Sequence, residues 1–149
     1  MHQDEATHTI AGHPTARPRR LRRGATLRRM VRETRLSPDQ LILPMFAVPG
    51  AGVDIPVPSL GGQSRLSPDL VAARARRAYA AGVPAVLLFG VSDEKDAVAS
   101  VSHDPNGAVQ QAVAAVKDAV PDMVVVTDVC LCAYTDHGHC GLIVDGEVD

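Results

Sequence analysis

The chain has no tryptophan, and its two tyrosines and two phenylalanines make up only 3% of 149 residues. Aromatics this sparse offer no stacking platform for single-stranded nucleic acid. Lysine is nearly absent too: Lys95 and Lys117 are the only two, so any chemistry that needs a lysine amine has two candidates. No apolar run approaches the roughly 20 residues that span a bilayer. The first residues are polar and lack the apolar segment of a signal peptide. Cysteine is confined to Cys130, Cys132 and Cys140, which is no disulfide framework; a reducing cytoplasm is the expected compartment. With 46% hydrophobic residues and a formal net charge of −2, the chain is neither disordered nor membrane-spanning, and it is long enough for one ordinary domain.

What is present is concentrated. Three thiols, two imidazoles and two carboxylates fall in residues 128–141, directly after the run Met123, Val124, Val125, Val126 and Thr127. That run is short, β-branched and uninterrupted, and it predicts a buried parallel strand. The cysteines then sit where a strand gives way to a loop, the place where α/β folds bind ligands. Cys130 and Cys132, one residue apart, point to the same side of an extended chain. Cys140 lies eight residues later, and Gly138 lets the loop fold back. Three thiolates converging on one borderline cation point to zinc. Three sulfurs leave a coordination position open, as catalytic sites do; a fourth ligand from His137 or His139 makes the alternative, a closed structural Cys3His site in a zinc-dependent binding module. A redox role suits C-x-C less well than C-x-x-C, and free cysteines also serve as small buried hydrophobes.

Charge is uneven. Nine of the fifteen basic residues lie in residues 17–35, against the single acid Glu33, so the remainder is net acidic. Such a stretch suits nucleic acid, an acidic membrane surface, an acidic neighbouring subunit or plain solvation. Residues 1–16, with His2, His8 and His13, are expected to be a flexible tail. Residues 26–34 predict a short helix with Leu27, Met30 and Val31 on one face. Residues 41–48 predict the first strand and residues 49–66 a long Gly- and Pro-rich loop. Ser67 and Pro68 open a helix that Gly82 ends. Residues 85–91 predict the second strand. Asp104 or Asn106 opens the next helix, which Pro121 blocks. Residues 123–132 form the third strand and its exit, and Asp145-Gly146 between apolar residues signals a hairpin. Strand, helix, strand, helix, strand argues for a parallel sheet. From periodicity alone, a small open doubly wound sheet and part of a TIM barrel are equal candidates.

The segment Asp-Val-Cys-Leu-Cys-Ala-Tyr-Thr-Asp-His-Gly-His-Cys-Gly, from Asp128 to Gly141, closely resembles the zinc-binding segment of the porphobilinogen synthase (delta-aminolevulinate dehydratase) family. Other segments resemble it in the same order. Arg17-Pro18-Arg19-Arg20-Leu21-Arg22 is similar to the family's N-terminal arm, and Leu41-Ile42-Leu43-Pro44-Met45-Phe46 to its first barrel strand. Leu88-Phe89-Gly90-Val91, Asp93-Glu94-Lys95-Asp96 and Asp104-Pro105-Asn106-Gly107 are similar to its second strand and following loop.

The resemblance implies a TIM (β/α)8 barrel, here about the first three β/α units in residues 37–149, preceded by an arm in residues 17–36 and the tail in residues 1–16. It implies a zinc-dependent lyase of heme and tetrapyrrole biosynthesis, which condenses two delta-aminolevulinate molecules to porphobilinogen with loss of two waters. It further implies Zn2+ on Cys130, Cys132 and Cys140, an allosteric Mg2+ as an option of the full-length enzyme, and an octamer-like homo-oligomer built through the arm, with neither nucleic acid nor membrane as partner. Asp128, two residues before Cys130 and so on the same side of a strand, is assigned to proton traffic near substrate nitrogen; the alternative is a carboxylate capping nearby backbone. His139 is a candidate to support a ligand or replace one. Asp136 and His137 are read as loop-forming, Phe89 and Gly90 as packing near the pocket floor, and Arg65 as a surface-pairing residue. The family's two Schiff-base lysines lie on later strands, and neither Lys95 nor Lys117 matches them. The chain is therefore expected to be the N-terminal part of a longer enzyme and to be inactive alone.

Overall fold

The computed structural model describes residues 19–149. The expected tail, with His2, His8 and His13, and the first two arm residues, Arg17 and Pro18, lie outside the described residues. The chain divides into two compact units, Met1–Leu36 and Ser37–Asp149.

In the first unit a 3-10 turn, Arg20–Arg22, is followed by helix α1, Ala25–Met30. The helix stops four residues short of the expected end at Thr34. Val31 donates the last helical bond, to Leu27, and six residues with no buried side chain are too few to propagate further. The guanidinium of Arg28 donates to the Arg22 carbonyl at 3.0 Å and that of Arg35 to Arg29 at 3.4 Å. The anticipated apolar face is left open, with Met30 73% exposed.

The second unit is built on strand β1, Ile42–Ala47. Two short strands follow, β2 (Asp54–Pro56) and β3 (Ser64–Leu66), then helix α2 (Pro68–Ala80), β4 (Ala85–Gly90), helix α3 (Ala108–Ala119) and β5 (Val124–Thr127). The sheet order is β2-β3-β1-β4-β5; every pair is parallel except β2 with β3. The antiparallel β2–β3 pair lies inside what the sequence reads as loop. Three-residue strands, one ending at Pro56, are too short to show alternation; they form because β1 offers its edge to β3, pairing Phe46 with Arg65 and Ala47 with Leu66.

Helices α2 and α3 pack against each other and cover the same face of the sheet. Alternation decides which strand residues they meet. Met45 and Ala47 of β1 and Val86 and Leu88 of β4 are fully buried against Val71, Ala75, Ala112 and Val116. Each large side chain buried here contributes about 1.5–3 kcal/mol. The opposite face stays open. Ile42, Val124 and Val126 are exposed there, and Phe46 and Phe89, register partners, pack with tilted rings whose centroids are 5.7 Å apart. So β5 is parallel as expected but not buried: it is an edge strand, with Val124 57% exposed.

Local signals act mostly where anticipated. Ser67 stands at the N-cap of α2 with Pro68 at its first position, although the Ser67 hydroxyl caps no backbone N–H of the helix. Gly82, at φ +89°, ends the helix while Val83 donates back to Ala78 at 3.0 Å. The next helix begins later than either expected cap. Asp104 spends its carboxylate on the Asn106 N–H at 2.8 Å, closing a turn, and Gly107 takes the N-cap of α3. Beyond the sheet, β6 (Ile143–Val144) and β7 (Glu147–Val148) form the anticipated hairpin; Asp145 and Gly146 both take positive φ, as a type I′ turn requires.

Candidate metal centre

Strand β5 ends sooner than its sequence suggests. Thr127 is its last residue, and the final ladder bond runs from the Asp128 N–H to the Leu88 carbonyl at 3.0 Å. The Asp128 carboxylate then accepts the Cys130 N–H at 3.2 Å and turns the chain away from the sheet. Cys130 and Cys132 therefore lie on a loop and not on an extended strand, and turns bring the sulfurs together where strand alternation was expected to. Tyr134 and Thr135 both donate to the Leu131 carbonyl, at 2.8 and 3.1 Å, and Gly138, at φ +75°, reverses the chain toward Cys140.

The outcome is a three-sulfur cluster. Cys130 Sγ lies 2.8 Å from Cys132 Sγ and 3.1 Å from Cys140 Sγ. The three thiols are free. Among the described residues, these sulfurs are the one group of three or more potential ligand atoms lying within 4.8 Å of one another; no histidine nitrogen belongs to it. A metal fits this donor set. Thiolates at about 2.3 Å from a tetrahedral zinc stand about 3.8 Å apart, so the cluster needs to open by about 1 Å or less, within reach of an exposed loop. Electrostatics agree, since three thiolates this close repel unless a proton or cation lies between them. Hydrogen bonding with Cys132 first, then Cys140, pushes the Cys130 thiol up to about 11, while the bond from Cys130 holds Cys140 below its ordinary value. A cation placed among the sulfurs takes over from those protons.

Beside the cluster lies an open pocket of about 510 Å³, lined among others by Val109, Val113, Asp128, Cys130 and Tyr134. Asp128 is exposed and keeps carboxylate lone pairs beyond the one bonded to Cys130. Tyr134 is a member of this site that sequence reasoning missed; its only signal was being the single tyrosine of the cysteine loop, in a chain with two. Burial first, and the Asp128 charge second, push its phenol above the usual range. Its hydroxyl explains Gly90 at the end of β4: a Cβ at Gly90 would lie 1.7 Å from the Tyr134 hydroxyl oxygen.

His139 is exposed, and its ring stacks on His137 with centroids 5.8 Å apart. Arg65 is exposed on β3 and lines a separate 220 Å³ pocket with Asp93. Neither lysine approaches the cluster's pocket. Lys95 is exposed in the loop after β4, and the Lys117 ammonium caps the end of α3, donating to the carbonyls of Pro121 and, at 3.0 Å, Met123.

Comparison with known proteins settles the ancestry of this arrangement. The family profile described as Delta-aminolevulinic acid dehydratase matches residues 15–149. The chain belongs to the delta-aminolevulinic acid dehydratase family. It is 49% identical over 135 residues to the delta-aminolevulinic acid dehydratase of Synechococcus elongatus, a match covering 91% of this chain and 41% of that one. The enzyme of the same name from Ruminiclostridium josui is 47% identical over 133 residues, covering 89% of this chain and 65% of the relative. Among solved structures, delta-aminolevulinic acid dehydratase (porphobilinogen synthase) from Toxoplasma gondii, in complex with the reaction product porphobilinogen, superposes with a TM-score of 0.77 at 36% identity over 90% of this chain and 39% of that one. The fold is thus part of the dehydratase TIM barrel, and the chain spans about two fifths of the length of most of these relatives.

Proposed function

We propose that this chain carries the zinc-binding portion of a porphobilinogen synthase, which condenses two delta-aminolevulinate molecules into porphobilinogen and releases two waters. The observation that carries the reading is the three-sulfur cluster beside an open pocket, in a chain of this family. When bound, zinc supplies Lewis acidity and a fixed point for the amine or carbonyl oxygen of a substrate. Cys130, Cys132 and Cys140 hold it, and their combined negative charge favours orienting a substrate over strongly polarising it. Asp128 accepts a proton or hydrogen bond from substrate nitrogen with the carboxylate oxygen that Cys130 leaves free. The Tyr134 phenol stays protonated beside it and is available as a donor to the same pocket.

Imine chemistry needs an amine that is not otherwise committed. Lys117 is engaged with two carbonyls and Lys95 is exposed outside the pocket, so these 149 residues hold the metal half of the reaction and do not turn over alone. The arginine-rich residues 17–36, with the exposed apolar side chains of Leu21, Met30 and Leu36, act as an arm that docks on a partner subunit in an octamer-like assembly. The enzyme works in the cytoplasm; among the described residues no helix is long and apolar enough to cross a membrane. An allosteric Mg2+ is not assigned to this part of the chain.

The test is incubation of the purified chain with delta-aminolevulinate and zinc, followed by borohydride trapping. The expected outcome is zinc bound near one equivalent, no pyrrole and no adduct. Supplying the remaining portion of a relative's barrel should restore turnover. A substrate adduct on Lys95 or Lys117 would overturn the division of labour, and absence of zinc binding would overturn the metal assignment.

A further inference from the structure

Cys140 is the cluster member that most needs explanation. It lies eight residues beyond Cys132 in an exposed loop with neither helix nor strand between them. We infer that Thr135 and His137 are positioning residues for the metal centre: they fix the peptide groups of His139 on both sides and so deliver Cys140 to Cys130 and Cys132. The inference rests on the proposed metal role of the three cysteines.

The geometry is specific. Thr135 is 3% exposed, and its hydroxyl donates to the His139 carbonyl at 2.9 Å. The His139 N–H donates to His137 Nδ1 at 3.2 Å, and His137 Nε2 lies 3.3 Å from the Ala97 carbonyl. A carbonyl only accepts, so Nε2 carries the proton; Nδ1 is then free to accept, and one neutral tautomer satisfies both bonds. Both holds end on His139, the residue directly before Cys140. It follows that His139 contributes through its backbone, while its ring lies outside the sulfur group.

These holds need a firm base, and the loop after β4 provides it. Asp96 and Thr135 form a parallel bridge, with the Asp96 N–H donating to Tyr134 at 3.3 Å and the Asp136 N–H to Asp96 at 3.2 Å. The Asp96 carboxylate fastens its own loop by accepting the N–H groups of Val98 and Ser100, both at 3.0 Å. Ala99 is buried beneath at 1% exposure. A hollow of about 160 Å³, lined in part by Val98, Thr135 and Cys140, marks the seam between the two loops. Hydrogen-bonded partners that orient ligands typically govern metal affinity by about 10–100-fold.

The experiment titrates the 149-residue chain with Co2+ and reads the thiolate-to-cobalt charge-transfer band, whose intensity reports the number of bound thiolates. The unsubstituted chain should show a three-thiolate band. Thr135→Val and His137→Phe should each weaken Co2+ binding by about tenfold and lower the band toward two thiolates, while Thr135→Ser should restore both. A residue that merely stabilises the fold would shift the unfolding midpoint and leave the band of the folded chain unchanged, and that result overturns the inference. His137 is only half-buried, so His137→Phe decides between the two roles even if Thr135→Val fails to fold. No band in the unsubstituted chain would defeat the metal assignment itself, a result distinct from a normal band that the two variants leave untouched.

Discussion

Replacing Gly90 by alanine probes the contact between strand β4 and the cysteine loop. The added Cβ would lie 1.7 Å from the Tyr134 hydroxyl oxygen, 2.7 Å from Cζ of the same ring and 2.8 Å from Val109 Cγ2. Val109 is on α3 and Gly90 is the last residue of β4, so two of the three elements are held by the core and Tyr134 is the one that must move. Overpacking of this kind costs about 1–3 kcal/mol, which corresponds to a fall of about 2–12 °C in Tm for a chain of this size. Displacing Tyr134 also drags the carbonyl that receives the Asp96 N–H, so the cysteine loop should loosen and Co2+ affinity should drop together with Tm. Thermal unfolding and Co2+ titration of Gly90→Ala, Tyr134→Ala and the double variant form a cycle. Adding Gly90→Ala to Tyr134→Ala should cost less than Gly90→Ala does alone, because the clashing ring is gone and only the 2.8 Å approach to Val109 Cγ2 remains. If Gly90→Ala unfolds within about 0.5 kcal/mol of the unsubstituted chain, the reasoning about Tyr134 is refuted.

Other outcomes follow from the same geometry. Zinc uptake should release protons, chiefly from Cys130, whose thiol is pushed up to about 11; affinity should therefore rise with pH, and pH-independent affinity would exclude thiolate ligation. Ser67 is fully buried, accepts the Val53 N–H at 2.9 Å and bonds Asp69 at 2.5 Å. Ser67→Ala should cost about 1–3 kcal/mol in urea unfolding. The Ser67 bond is also the main cause holding the Asp69 carboxyl below its ordinary value; this contribution to stability is present above the unfolded-state value and disappears as pH falls through the folded one. In Ser67→Ala the acid limb of the stability curve should flatten, and an unchanged limb would contradict the assignment. Ala99 takes φ +55° in a buried position. Ala99→Val should destabilise by about 2 kcal/mol or more, whereas Ala99→Gly should be nearly neutral in unfolding, the relief of about 1 kcal/mol of left-handed strain offsetting a lost buried methyl.

Much of this protein was legible because local signals are strong where they occur. The Ser67-Pro68 start, the Gly82 stop and the Asp145-Gly146 turn are short-range signals, and each falls at its expected place. The three parallel strands were visible as apolar runs, and the cysteine segment announced both a candidate metal site and a family by residue type and spacing. What the sequence could not show depends on neighbours. The β2–β3 pair exists because β1 offers an edge, which no three-residue window reveals. The run from Met123 to Val126 reads as buried throughout, and Met123 is, but Val124 and Val126 are exposed, because composition does not say whether a strand has a neighbour on its outer side. Asp104 and Asn106 have the residue types of helix caps, but Asp104 closes a turn that passes the cap to Gly107. The cysteines were legible as a group, yet their convergence comes from turns at Leu131 and Gly138 and not from strand alternation. Tyr134 over Gly90, and His137 against the Ala97 carbonyl, join segments about 40 residues apart in the chain. Such contacts are decided only when packing sets two loops side by side, because a hydrogen bond needs a partner within about 3 Å and the order of residues alone does not fix that distance.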